Sequence, residues 1–261
     1  MRSEEQIQAA SRRIIVALDV DSVAQAMVLV EMLTGKVGKF KIGLQLIFTI
    51  LVELLTPMSL TEAFDNLDRA RKLFRLLHGQ IMLDVKLKDI PPTIAGASGA
   101  IARLGVDLFT VHASAGTRGL REAVKNRGTS SVIAVTVLTS MDEDECQSIY
   151  GENVADKVRA FTRLAVEAKV QYLVCAPHDL ELLKDIPGAD EIEKICPNIT
   201  PVWAAVPKDQ NKNRSMTPFE AMQAGAAYLV IGRAITKPPP EIGSPKDAAR
   251  KIAEEIASFF P

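Results

Sequence analysis

Short apolar runs alternate with helical patterns along most of the chain. Runs rich in Val, Ile and Leu are typical of buried strands, whereas apolar residues spaced three and four apart indicate amphipathic helices. The runs predicted as strands are 14–20, 37–43, 81–86, 107–111, 132–138, 172–176, 199–204 and 228–231. The helical patterns that follow them include 23–33, 93–104, 117–126, 153–168 and 248–259.

Eight strands that alternate with helices predict an α/β fold, and eight such units fit a (β/α)8 TIM barrel. We expect a single domain over residues 1–261. A doubly wound open sheet is the main alternative, but no glycine-rich nucleotide fingerprint follows the first strand. The connection between the second and third strands is long. It is predicted as a helical insertion around 44–79, built from the pieces 44–55 and 60–77.

Composition narrows the range of partners. The net charge is −1, from 31 basic and 32 acidic residues, and no basic block stands out, so neither nucleic acid nor a membrane surface is expected to bind. The three cysteines, Cys146, Cys175 and Cys196, show no paired spacing, which suits a reducing compartment. The N-terminus lacks the apolar core of a signal peptide, and segment 44–55 is too short to span a bilayer. A cytoplasmic protein is predicted.

The run from Ile81 to Thr93 is unusual because it carries charges within an apolar strand. Asp84 and Lys86 are two residues apart and should project to the same side of the strand. Such charges are unfavourable unless they are paired or used. In a barrel of this class the working residues lie at the C-terminal ends of the strands. Charged or polar residues at those ends are Asp19, Lys41, Asp84, Lys86, Asp89, His112, Ser140, Gln210 and Arg233.

Two chemical properties follow from this set. Neighbouring carboxylates would hold a lysine charged despite partial burial, so that it could offset developing negative charge and donate a proton. At the end of the eighth strand, Gly232 allows close backbone approach and Arg233 supplies a charged fork, which predicts a phosphate site that Gln210 could close.

Each residue also has a purely structural interpretation. Asp19 could cap a helix, Asp84 and Lys86 could form a structural ion pair, and His112 could be a hydrogen-bonded core residue. No metal site is predicted, because the three histidines are scattered and Lys86 would repel a cation held by the nearby carboxylates. No motif supports a serine or cysteine nucleophile.

Segment 83–93 resembles the Asp-x-Lys-x-x-Asp-Ile-Pro-x-Thr signature of the orotidine 5′-phosphate decarboxylase family. The resemblance extends over almost the whole chain. The supporting segments are Ala17-Leu18-Asp19, Phe40-Lys41-Ile42-Gly43, Val111-His112-Ala113-Ser114, 135–140, Asp209-Gln210, Met216-Thr217-Pro218 and 231–236.

This resemblance implies decarboxylation of orotidine 5′-phosphate to uridine 5′-phosphate in pyrimidine biosynthesis, without cofactor or metal. It implies that Lys86 protonates C6 and that Asp84 lies against the substrate carboxylate. It also implies a homodimer in which Asp89 and Thr93 reach the partner's site. Lys41 and Asp89 are implied to be catalytic together with Lys86 and Asp84, and Lys41 and Asp19 are implied to contact the ribose and orient the lysine network. The remaining implied substrate contacts are Ser140 to the pyrimidine, Gln210, Gly232 and Arg233 to the phosphate, and, without a specified role, Ile90 and Pro201.

The chain departs from the family's pattern after the predicted seventh strand. Pro201-Val202-Trp203-Ala204 stands where bacterial members commonly have Pro-Gly-Ile-Arg, so the arginine of that motif is absent. Lys208 or Arg214 could compensate. Two alternatives stay open: an Mg²⁺-dependent sugar-phosphate barrel enzyme of the hexulose-phosphate synthase or keto-gulonate phosphate decarboxylase type, and a catalytically silent nucleotide-binding barrel. The charged residues on the strand ends argue against the silent barrel.

Overall fold

Eight parallel strands close into a barrel in chain order in the computed structural model, which describes residues 2–205 and 214–260. The strands are β1 Ile14–Ala17, β2 Lys39–Gly43, β3 Ile81–Leu87, β4 Leu108–His112, β5 Ser131–Val135, β6 Tyr172–Val174, β7 Glu193–Cys196 and β8 Tyr228–Ile231. β1 pairs in parallel with both β2 and β8, which closes the sheet. The predicted (β/α)8 barrel is confirmed.

Helices cover the outside of the barrel. They are α1 Glu4–Ser11, α2 Val23–Leu33, α3 Leu44–Leu55, α4 Leu60–Leu76, α5 Pro91–Arg103, α6 Gly116–Asn126, α7 Glu143–Tyr150, α8 Val154–Glu167, α9 Leu180–Leu183, α10 Pro218–Ala224, α11 Arg233–Thr236 and α12 Pro245–Phe259. Polar side chains begin several of them: Ser22 accepts from the amide of Gln25 at the start of α2. None of the helices in the described part of the chain is long and apolar enough to cross a membrane.

The core has two layers because strand side chains alternate between the faces of the sheet. On β1, Ile14 and Val16 pack outward beneath the helices, whereas Ile15 and Ala17 point into the barrel. The inward layer also contains the buried residues Met82, Leu108, Ile133, Ile195 and Val230. This apolar filling occupies the barrel interior, so polar side chains from the strands are accommodated at its C-terminal end.

The predicted seventh strand at 199–204 is wrong. β7 is Glu193–Cys196, and within 199–204 only Ile199 makes an isolated bridge, to Met216. Glu193 and Lys194 interrupt the apolar signal of the true strand. The run 199–204 is apolar because it belongs to a partly buried loop after β7. Buried loop residues also follow β1 and β5 and extend their apolar runs. For this reason the predictions 14–20 and 132–138 continue past the observed strand ends at Ala17 and Val135.

The bounds of the predicted helices lie within three residues of the observed ones, and the largest difference is at α12, which begins at Pro245 rather than at residue 248. α2 and α3 match the predicted bounds, and α4 ends one residue earlier than predicted. α5 begins at Pro91 rather than at Thr93. Proline is tolerated in the first helical turn, because the amide hydrogens there have no partner within the helix. The two prolines therefore start the helix instead of delaying it.

Candidate active site

Four charged side chains meet at the C-terminal mouth of the barrel. Asp19 follows β1, Lys41 lies on β2, and Asp84 and Lys86 lie on β3. Lys41 Nζ is 3.1 Å from Asp19 Oδ1 and 3.6 Å from Asp84 Oδ2. Lys86 Nζ is 2.8 Å from the same Asp84 oxygen. These residues, which we call the charged quartet, form a row of alternating sign.

Asp84 is the electrostatic centre of the charged quartet. Its side chain is 11% exposed. Burial alone would raise the pKa of its carboxyl, but the charges of Lys41 and Lys86 and hydrogen bonds from Lys86 and Thr110 outweigh burial and hold that pKa below its ordinary value. Asp84 is therefore ionised at neutral pH, next to two ammonium groups.

Gly43 leaves room for the pair between Lys41 and Asp19. A Cβ atom on Gly43 would lie 2.8 Å from Lys41 Nζ and 3.2 Å from Asp19 Oδ1. Both distances are shorter than ordinary van der Waals contacts, so a larger residue would displace the lysine or the carboxylate. The sequence pattern included Gly43 without indicating this role.

β3 is irregular where it carries the charges. Leu83 is opposite Phe109 and Leu87 is opposite Val111, so residues 84–86 face Thr110 alone on β4. Lys86 has a φ of 47°, in the left-handed region that non-glycine residues rarely adopt. Asp84 and Lys86 thus meet through a bulge rather than through the regular alternation on which the prediction rested.

Two cavities open beside the charged quartet. One, of about 210 Å³, is bounded by Asp84 and Lys86 on one side and by apolar or weakly polar residues that include Val137, Leu138 and Thr139 on the other. The second, of about 450 Å³, is polar and includes Asp19, Gly232 and Arg233 in its lining. Lys41, Pro197 and Val230 line both cavities, which therefore adjoin. The arrangement suits an elongated ligand that has a ring with a charged substituent at one end and a second polar group at the other.

Several predicted site residues are not part of the charged quartet. Asp89, Ile90 and Thr93 are exposed at the start of α5, where Asp89 Oδ1 accepts from the amide of Ile90 at 2.7 Å. Ser140 is exposed in the loop after β5, and its neighbour Thr139 lines the smaller cavity. Pro201 is buried in the loop after β7. Gln210 and Lys208 lie outside the described residues.

The contacts of His112 are those of a buried structural residue. Its side chain is buried at the end of β4, Nδ1 accepts from the amide of Ser114 at 3.2 Å, and its ring packs edge-on against Phe161. Burial, together with the charges of Lys88 and Lys86, lowers the pKa of His112 to about 4. The imidazole is therefore neutral at physiological pH, as expected of a hydrogen-bonded core histidine.

Arg214 forms a buried ion pair with Asp179. Its guanidinium is 2.5 Å from Asp179 and donates to the backbone carbonyls of Leu138 at 3.1 Å and Met141 at 3.3 Å. It therefore fixes the loop after β5 to the loop after β6, and the suggestion that it could replace a phosphate-binding arginine is wrong. Because a lone arginine in a loop carries no spacing signal, the sequence could not reveal this contact.

Within 2–205 and 214–260, no group of three or more His, Cys, Asp or Glu side chains is arranged to hold a metal ion. At the mouth of the barrel the carboxylates of Asp19 and Asp84 are instead bridged by Lys41. The polar groups at the mouth are therefore ammonium groups paired with carboxylates. It can hold an anion, stabilise developing negative charge and supply a proton.

A closed parallel barrel with lysines and carboxylates paired at its C-terminal mouth defines a (β/α)8-barrel enzyme. A sequence model described as orotidine 5′-phosphate decarboxylase / HUMPS family matches residues 12–252. The chain belongs to this family.

Individual relatives agree with the family assignment. The orotidine 5′-phosphate decarboxylase of Heliobacterium modesticaldum is 35% identical over 263 residues, which cover 95% of this chain and 97% of the relative. That of Rhodopseudomonas palustris strain HaA2 is 38% identical over 248 residues, covering 94% of each. The crystal structure of orotidine 5′-phosphate decarboxylase from Lactobacillus acidophilus is similar with a TM-score of 0.68 at 26% identity, covering 94% of this chain and 99% of that one.

Proposed function

We propose that this protein catalyses the decarboxylation of orotidine 5′-phosphate to uridine 5′-phosphate, a reaction of pyrimidine biosynthesis. The observation that carries the proposal is the contact of 2.8 Å between Asp84 and Lys86 at the wall of the smaller cavity. Membership of the family supports the same reaction. The predicted cytoplasmic location is part of the proposal.

The proposed chemistry needs one proton and no external electrons. The bond between C6 and the carboxylate breaks, carbon dioxide leaves, and the electron pair stays at C6. The Lys86 ammonium offsets the developing charge and then transfers its proton to C6, after which solvent restores the proton. Asp84 pairs with the Lys86 ammonium at the wall of the cavity, while the charge of Lys41 helps to keep Asp84 ionised.

The two cavities suggest how the substrate would lie. The pyrimidine would occupy the smaller cavity against Leu138 and Thr139, with Ser140 in the same loop. The ribose would lie beside Asp19 and Lys41. The phosphate would bind near the backbone of Gly232 and the guanidinium of Arg233. Gln210 and Pro201 remain proposed contacts at the phosphate end.

We further propose an isologous homodimer in which Asp89, Ile90 and Thr93 reach the partner's site. In support of this proposal, the three residues are exposed in a single protomer, where a partner subunit could contact them. Near them in sequence, the hairpin formed by α3 and α4 exposes a row of apolar side chains. They include Phe48 at 61%, Leu55 at 76%, Met58 at 94%, Leu60 at 81% and Phe64 at 70% exposure. Exposed apolar surfaces of this kind mark protein interfaces. The predicted insertion at 44–79 in a single-domain barrel would thus serve dimerisation.

One assay tests the proposed reaction. The ultraviolet absorbance of orotidine 5′-phosphate is followed with purified protein, with and without EDTA. We expect turnover that EDTA does not change and that Lys86→Ala abolishes, whereas Lys39→Ala, at the opposite end of the barrel, retains it. Inhibition by EDTA would favour an Mg²⁺-dependent enzyme. Binding of uridine 5′-phosphate without turnover would favour a silent nucleotide-binding barrel.

Subunit mixing tests the shared site. Lys86→Ala and Asp89→Ala are expected to be inactive separately. In a mixed dimer, one of the two sites regains both wild-type residues, so random mixing restores about a quarter of the wild-type activity. If mixing restores nothing while each variant binds uridine 5′-phosphate, Asp89 does not act in trans.

A further inference from the structure

We infer that Thr110 on β4 is a positioning residue for the reaction, because its hydroxyl holds both the backbone and the side-chain partner of Lys86. This inference rests on the proposed function. Thr110 is fully buried. Its hydroxyl donates to Asp84 Oδ1 at 3.0 Å and accepts from the backbone amide of Lys86 at 2.8 Å.

The amide of Lys86 has no carbonyl partner from regular pairing with β4. In a regular parallel pair, the amide hydrogens of one strand bond to the carbonyls of its neighbour. Residues 84–86 bulge out of register with β4, so three residues face Thr110 alone. The amide of Lys86 is satisfied instead by the Thr110 hydroxyl, and a buried amide left without a partner is strongly unfavourable.

The backbone of Lys86 is held in the left-handed region. A φ of 47° is unfavourable for a residue with a side chain, and such conformations persist only where surrounding contacts enforce them. The hydrogen bond to Thr110 is such a contact. It holds the bulge in the conformation that brings Lys86 Nζ to 2.8 Å from Asp84.

Thr110 also restrains the carboxylate of Asp84. Its two oxygens have different partners: Oδ2 faces Lys41 and Lys86, while Oδ1 accepts from Thr110. A carboxylate restrained at both oxygens has a fixed orientation, which fixes the direction of the Lys86 ammonium in turn. Since Thr110 does not line either cavity beside the charged quartet, it acts through Asp84 and Lys86 rather than on the substrate.

Two substitutions separate the hydroxyl from the rest of the side chain. Thr110→Val keeps the shape and removes both hydrogen bonds, whereas Thr110→Ser keeps the hydroxyl. We expect Thr110→Val to lower the single-turnover decarboxylation rate constant about 10- to 100-fold, as for the loss of hydrogen bonds to charged groups. The dissociation constant of uridine 5′-phosphate should change less than about threefold, because no substrate contact is removed. Thr110→Ser should recover most of the rate.

Thr162→Val is the matched control. Thr162 is equally buried, and its hydroxyl donates to the carbonyl of Val158 within α8, outside the charged quartet. This variant should keep the wild-type rate constant. A wild-type rate in Thr110→Val, or equal losses in Thr110→Ser and Thr110→Val, would overturn the inference. Should Thr110→Val fail to fold, Thr110→Cys replaces it, because a thiol is a weaker donor and acceptor.

A crystal structure of Thr110→Val provides a readout that needs no activity. We expect Lys86 to leave the left-handed region and its Nζ to move away from Asp84. An unchanged Lys86 conformation would overturn the inference. If the wild type does not turn over but the bulge rearranges as expected, only the proposed reaction fails. If the wild type is active and Thr110→Val matches it, only the role of Thr110 fails.

Discussion

Replacing Lys41 with methionine tests the electrostatic balance of the charged quartet. The substitution keeps an unbranched side chain, one atom shorter than lysine, and removes its charge. Lys41 is 13% exposed and lies 3.6 Å from Asp84, which at an effective dielectric constant of about 20 corresponds to an attraction of about 4 to 5 kcal/mol. Its second partner, Asp19, is 50% exposed, so that pair adds no more than about 1 kcal/mol.

The net effect is smaller than this attraction. Removing Lys41 also removes the desolvation of a buried lysine and its repulsion of Lys86, and Asp84 keeps Lys86 as a partner. We therefore expect the free energy of unfolding to fall by about 1 to 3 kcal/mol near neutral pH, less than the roughly 3 to 5 kcal/mol lost when a buried pair is broken outright.

The pH dependence has a defined sign. Lys41 and Lys86 hold the pKa of Asp84 below its ordinary value of 3.8 despite burial. Its ion pairs therefore stabilise the fold above that value, and this contribution is lost as the pH falls through the lowered pKa. In Lys41→Met the pKa of Asp84 is higher than in the wild type, so the destabilisation is largest near neutral pH and shrinks on acidification.

The assay is urea unfolding followed by circular dichroism, at one protein concentration, from about pH 7 down to about pH 3, below the ordinary pKa of an aspartate. Lys39→Met is the matched control on the same strand, because Lys39 makes one pair of 3.7 Å with Asp107 at the other end of the barrel. Lys39→Met should lower the free energy of unfolding by less than about 1 kcal/mol. Equal losses in the two variants, or a loss in Lys41→Met that does not shrink on acidification, would refute the reasoning.

Three further predictions follow from single contacts. Arg233→Ala should chiefly raise KM for orotidine 5′-phosphate in steady-state assays, and an unchanged KM would contradict the phosphate assignment. Arg214→Met should lower the free energy of unfolding by about 3 to 5 kcal/mol in urea, because it leaves the Asp179 carboxylate buried without its cation; a loss below about 1 kcal/mol would contradict this. By NMR, the His112 imidazole should titrate near the lowered pKa of about 4; titration near 6.5 would show that it is not buried as described. Between those pH values the unfolded state alone binds this proton, so His112 lowers stability on acidification.

The barrel could be predicted because its alternation of strands and helices is a long-range pattern repeated eight times. A single strand carries much less information. β7 is four residues long and half of it is charged, so its signal was weaker than that of the buried loop at 199–204. Burial in a loop and burial in a strand give the same apolar run, and only the pairing partners distinguish them.

The charged quartet could be predicted for a different reason. Charges at the ends of apolar strands are unfavourable unless paired, and the topology brings strand ends together. Thr110 could not be identified this way, because a threonine within an apolar strand is ordinary β-sheet composition. Its significance depends on the bulge in β3, which is set by pairing with β4 and has no local sequence signal. The same holds for Arg214, whose partners lie in two other loops.

The most direct test of the central claim is the fate of C6 in deuterated water. Orotidine 5′-phosphate is incubated with the protein in D2O, and the product is identified by NMR. If Lys86 is the proton donor, its ammonium exchanges with solvent, and the wild type should yield uridine 5′-phosphate that carries deuterium at C6. Lys86→Met should yield no product while still binding uridine 5′-phosphate. Deuterated product formed at the wild-type rate by Lys86→Met would contradict the account.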